Sequence, residues 1–169
     1  MKISRFINLM LANLVASIPM LYYLFVLDVK RGKWDGGELV DEILDQYEDY
    51  EAEITGIEQG QISMAIGPFL ETRIKERGLY KMYVKDLKTG RRDKEARGRA
   101  IQGRMAQGMV YLPVGKDWTE KFVAELLTFP VGKHDDQVDA FSWLGQMMHE
   151  FHRFREGTEA PPPSWRDRL

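Results

Sequence analysis

Hydrophobic and polar residues alternate with a period that changes repeatedly along this chain, and each change marks an expected element. Residues 21–28 (LYYLFVLD) are aromatic and β-branched, which predicts a buried strand, followed by a polar turn from Lys30 to Gly37. Leu39, Val40, Ile43, Leu44, Tyr47 and Tyr50 then recur at helical spacing among acids. Residues 54–58 (ITGIE) form a short apolar run that ends in a carboxylate. Ile62, Ala65, Ile66, Phe69, Leu70 and Ile74 predict a second helix stopped at Gly78, with Gly67 and Pro68 as a place to kink or divide it. Beyond it the pattern predicts a strand over 80–84, a helix over 94–107, a short strand over 109–112 and a helix over 118–127. Asp117 and Glu120 stand at capping-box spacing before that helix. Val138, Phe141, Leu144, Met148 and Phe151 trace one apolar stripe along a long final helix. Strands alternating with helices imply an α/β sheet with helices on both faces. No internal repeat is present, and residues 156–169, with Pro161, Pro162 and Pro163, read as a flexible tail.

The first twenty residues break this pattern. Phe6 to Leu27 carries no charge and follows Lys2 and Arg5, so by length and flanks it passes as a membrane span. Asn8, Asn13, Ser17 and Pro19 weaken that reading, and the strand-like 21–28 run lies inside it. A hydrophobic helix or irregular arm leading into a strand accounts for the segment better than a membrane anchor does. Residues 1–20 are therefore set apart from a domain over 21–155.

Composition narrows the chemistry. A chain of 169 residues that is 44% hydrophobic and 30% charged suits one globular domain with a real core. The net charge of −2 means that any nucleic-acid surface is a local patch. The absence of cysteine excludes disulfides and thiolate metal sites but leaves oxygen-ligand metals open. No Gly-Lys-Ser/Thr phosphate loop occurs, so ATP hydrolysis is not encoded in these residues.

Asp135, Asp136 and Asp139 crowd the start of the final helix. One acid there caps free N–H groups and opposes the helix dipole. Three repel one another unless a cation lies between them, and a hard ion such as Mg²⁺ is the usual answer. A solvated acidic helix start fits the same spacing. Glu58 closes an apolar strand ahead of Gln59, Gly60 and Gln61, where α/β folds place their sites, although a plain loop acid also fits. One acid from a strand end and others from a helix start could hold Mg²⁺ or Mn²⁺ beside a scissile phosphate, where two such ions activate water and stabilise the leaving oxygen.

A basic run follows the 80–84 strand: Lys81, Lys85, Lys88, Arg91, Arg92, Lys94, Arg97, Arg99 and Arg104. Residues 85–94, with Thr89 and Gly90 at a turn, read as a β-hairpin or loop that could reach DNA phosphates without sequence preference. A solvated loop and helix face is the plainer account. Few aromatics interleave with it, so base stacking on single strands is not expected there. His134 beside the acids could handle protons or serve as a turn residue, and His149 and His152 could bind metal or face solvent.

Residues 129–140 (FPVGKHDDQVDA) resemble the last motif of the C-terminal nuclease domain of tailed-phage terminase large subunits, which cut concatemeric DNA and package it into the capsid. The likeness runs from about Tyr23 to Phe151. Residues 25–34 resemble the strand and turn after the family's first strand, and residues 38–58 resemble the segment that carries its second catalytic acid. Residues 94–100, 107–113 and 122–130 are similar to its later helix, strand and helix. The resemblance implies an RNase H-like mixed sheet flanked by helices, with Glu58, Asp135 and Asp136 as catalytic metal ligands and Asp139 as a further ligand or an orienting group. It implies Mg²⁺ or Mn²⁺ as cofactor and duplex DNA as substrate, held by Lys85, Lys88, Arg91, Arg92, Lys94 and Arg97. The implied partners are the terminase small subunit, the portal and an ATPase domain on another chain, in the cytoplasm of a bacterial host.

One departure bears on activity. The family's first strand carries an aspartate that completes the metal site, yet no Asp or Glu precedes Asp28 here. Asp28 matches the strand after the family's first, so that role is not carried onto it. The expected domain starts late, with its first strand missing or replaced by residues 1–20. Two outcomes follow: a metal-dependent endonuclease, or a catalytically inactive remnant that keeps DNA or partner binding.

Overall fold

A computed structural model describes residues 6–11, 23–88, 94–132 and 136–155, without side-chain detail for 6–11, 94–97, 100 and 149–155. The architecture is mixed α/β. Its elements are β1 (Phe6–Leu11), β2 (Leu24–Phe25), β3 (Asp28–Lys33), α1 (Gly36–Tyr50), β4 (Thr55–Glu58), α2 (Gln61–Glu76), β5 (Val84–Leu87), α3 (Lys94–Ala106), β6 (Val110–Tyr111), α4 (Thr119–Thr128) and α5 (Asp136–Arg155). The strands described form three two-stranded sheets, β1 with β3, β2 with β6, and β4 with β5. The chain divides into two compact units. One holds α1, β4, α2 and β5; the other holds β2, β6 and α3 to α5.

In the first unit, Asp35 caps α1. Its carboxylate accepts from the N–H groups of Gly37 and Glu38, while Glu38 accepts from the Asp35 N–H at 2.8 Å. That closes a reciprocal capping box. Leu39, Val40, Ile43 and Leu44 bury one face of α1, and Ile66, Leu70 and Ile74 bury one face of α2, which packs against it. α2 runs unbroken through Pro68, although proline contributes no N–H to the ladder. Arg77, at its C-terminal end, spans three acids of α1: Asp45 at 2.5 Å, and Glu48 and Asp41 at 2.8 Å each. The hydrogen bond to Asp45, then those to Glu48 and Asp41, raise the guanidinium's already high pKa, so it stays charged at any working pH.

β4 and β5 are parallel, with Thr55 opposite Val84 and Glu58 opposite Leu87. Parallel neighbours need a crossover, and α2 supplies it. This moves the expected strand at 80–84 to Val84–Leu87; of the hairpin or loop expected over 85–94, residues 85–87 belong to β5, which pairs with β4, and Lys94 opens α3. Residues 89–93, with the expected turn, lie outside the described residues.

In the second unit, β2 and β6 are parallel, tied by Leu24 N–H to the Met109 carbonyl at 2.8 Å and Val26 N–H to that of Tyr111 at 3.0 Å. Leu24, Val26, Val29, Ile101, Phe122, Phe141, Leu144 and Met148 form its core. α3 lies close along α5 because glycines face the contact. A Cβ on Gly145 would come 3.2 Å from Ile101 Cδ1, and one on Gly98 would come 3.6 Å from Ser142 Oγ. Gly145→Leu is therefore expected to cost about 1–3 kcal/mol through overpacking, although leucine is the better helix former. Urea denaturation checks it; an unchanged midpoint would show that the helices separate freely.

Three local expectations change. Residues 30–33 extend β3 rather than form a turn, since strand pairing with β1 recruits their backbone. Phe6–Leu11 is a strand for the same reason, where a helix or irregular arm was expected. α4 begins at Thr119 with Trp118 in the cap position and no side-chain cap, so Asp117 and Glu120 do not form a capping box. No helix among the described residues is long and apolar enough to cross a membrane.

Candidate metal and DNA site

α5 starts at Asp136, and Asp136 and Asp139 both fall in its first turn. At about 100° per residue the two lie roughly 60° apart around the helix axis. Both are half-buried and both engage other groups. They offer two hard oxygen donors beside the positive end of a helix dipole. Asp135 and His134, and Lys133 before them, lie outside the described residues. Among the described residues, no group of three or more His, Asp or Glu is arranged to hold a metal ion.

Glu58 belongs to the other unit. It is exposed at the carboxyl end of β4, and the next N–H, that of Gln59, donates to the Leu87 carbonyl at 2.8 Å. Gly60 takes the cap position before α2, with its N–H donating to Ser63 Oγ at 2.9 Å. A glycine in that position keeps side chains away from the backbone beside Glu58. The acid thus stands at the carboxyl end of a parallel strand pair, next to a helix start, where open α/β sheets bind ligands. Asp28 occupies the start of β3; its carboxylate accepts from the Val29 N–H at 2.9 Å and lies 4.0 Å from Lys30 Nζ.

Of the basic residues, Lys85 is half-buried on β5 and Lys88 is exposed just after it. Lys94 and Arg97 lie on the first turn of α3, with side chains outside the described residues. Arg91 and Arg92 fall wholly outside them, and His149 and His152 lie on α5 without described side chains.

Pattern reading missed the buried pair behind the acids. Glu125 of α4 is 6% exposed and Gln137 of α5 is 1% exposed. One carboxylate oxygen of Glu125 accepts from the Gln137 backbone N–H at 2.7 Å, and the other accepts from its side-chain amide at 2.5 Å. Arg31 Nη1 approaches that second oxygen at 3.5 Å. A signal was available: Glu125 lies three residues after Phe122, on the stripe of α4 that faces the core. No protein-family model matches this chain, and no curated protein matches it in sequence.

Proposed function

We propose that the chain is the nuclease module of a tailed-phage terminase large subunit, with an RNase H-like fold, and that it cuts duplex DNA during genome packaging. The observation that carries this reading is the 129–140 motif, whose Asp136 and Asp139 share the first turn of a long helix with Val138, Phe141 and Leu144 buried. Glu58, at the carboxyl end of a parallel strand pair, supports it. The resemblance gives Glu58, Asp135 and Asp136 the role of ligands to Mg²⁺ or Mn²⁺, with Asp139 as a further ligand or orienting group. Bound there, the metal supplies an activated water and charge neutralisation at the phosphate. Lys85, Lys88, Arg91, Arg92, Lys94 and Arg97 would bind phosphates with an affinity that falls as salt rises.

The test is nicking of supercoiled plasmid by the purified chain in Mn²⁺, with chelator as control. Metal-dependent nicking is expected. A folded protein that binds DNA but never nicks it would point instead to the catalytically inactive form of the module, whose binding role survives without cutting.

A further inference from the structure

We infer that Glu125 is a positioning residue for the acidic turn of α5, an inference that rests on the metal-dependent reading above. Its carboxylate is buried on α4, yet all of its hydrogen bonds described above serve other elements: Gln137 twice, and Arg31 of β3. Gln137 is the second residue of α5, so its N–H is one of the helix's first four and has no acceptor within the helix. Glu125 provides that acceptor from outside. The bond to the side-chain amide adds rotational control, because one carboxylate grips two donors of the same residue.

The geometry of the helix turns this grip into an aim. Asp136 and Asp139 lie about 100° and 160° around the axis from Gln137. Holding Gln137 at 1% exposure in the core therefore directs both aspartates away from it, and both are half-buried rather than enclosed. Electrostatics favours the same arrangement. A carboxylate at a helix start opposes the positive end of the dipole, and Arg31 offsets its charge so that it adds less repulsion to the two aspartates nearby. Arg31 and Glu125 are 94 residues apart in sequence, so this neutralisation exists only in the folded unit. Alanine at 125 leaves both Gln137 donors without this acceptor, whereas glutamine keeps its oxygen on the Gln137 N–H and can donate its amide to the Gln137 side-chain oxygen once that amide turns over, giving up only the charge beside Arg31.

The experiment measures Mn²⁺ binding by the intact chain, from the resonance signal of free Mn²⁺, well below the melting temperature of every variant. Glu125→Ala is expected to weaken binding by about 10–100-fold, the range for loss of an outer-shell partner. Glu125→Gln, which can keep both hydrogen bonds, is expected to recover most of that loss. A role confined to stability would lower the melting temperature of Glu125→Ala without changing the affinity of the folded protein. Glu125→Ala binding Mn²⁺ as wild type does, while Asp136→Ala does not bind, overturns the positioning role and leaves the nuclease reading standing. Glu125→Gln binding as weakly as Glu125→Ala overturns the hydrogen-bond account. Asp136→Ala binding as wild type does overturns the metal reading itself, and this inference with it.

Discussion

Asp136→Ala is expected to lower Mn²⁺-dependent plasmid nicking by at least about 100-fold, the upper end of what loss of an outer-shell group costs, because under the proposed function a ligand itself is removed. Glu58→Ala is expected to do the same. Neither change should unfold the chain. Asp136 is half-buried at a helix start beside Asp139, so its removal gives up a favourable dipole interaction of about 0.3–1 kcal/mol along with its contacts to other groups, and relieves a repulsion between like charges. Glu58 is exposed at a strand end. The pair of variants thus separates chemistry from folding: activity should vanish while circular dichroism and melting temperature stay close to those of the wild type. If both variants nick as fast as wild type, the cutting does not come from these carboxylates and the assignment fails.

The largest expected effect on stability is at Phe122. Its ring is fully buried, edge-on to Phe141 at 5.3 Å and to Trp118 at 6.1 Å between centroids. It belongs to the core built by β2, β3, α3, α4 and α5. Phe122→Ala removes the ring, its aromatic contacts and the packing around it, at a cost of about 3–5 kcal/mol. Domains of this size are stable by only about 5–15 kcal/mol, so the urea midpoint should fall by roughly 1–3 M. Val131 provides the control. It is 93% exposed, and Val131→Ala should leave the midpoint within error. Equal midpoints for the two variants would mean that Phe122 is not the keystone of this core.

Much of the local structure was legible in advance because it depends on neighbours along the chain. The stripe of Val138, Phe141, Leu144 and Met148 is the buried face of α5, and Leu39, Val40, Ile43 and Leu44 form that of α1. Elements with weaker periodicity were displaced. Two Asp-x-x-Glu patterns occur at the same spacing, Asp35 with Glu38 and Asp117 with Glu120. Only the first caps a helix, because α4 starts one residue too late for the second. The motif itself does not carry the frame in which the helix begins. The strand expected over 80–84 moved to Val84–Leu87 for a similar reason: its register is set by Thr55 and Glu58 on a strand thirty residues earlier, not by its own side chains.

The candidate site divides along the same line. The acids at 58, 135, 136 and 139 were visible as residue types at meaningful positions, and Glu58 at a strand end and Asp136 at a helix start are where the pattern put them. Glu125 carried a signal of burial, three residues after Phe122, but not of its partner, since Gln137 lies on another helix.

The amino-acid sequence by itself determined the order of helices and strands from α1 to α5 and the acidic motif that opens α5, because periodicity and capping are settled within a few residues. The tertiary structure alone decided that β4 and β5, and β2 and β6, run parallel, and that Arg31 reaches the buried pair of Glu125 and Gln137. Strand pairing and the burial of a charge are favourable only when distant segments supply the missing hydrogen bonds, and local pattern holds no record of that supply.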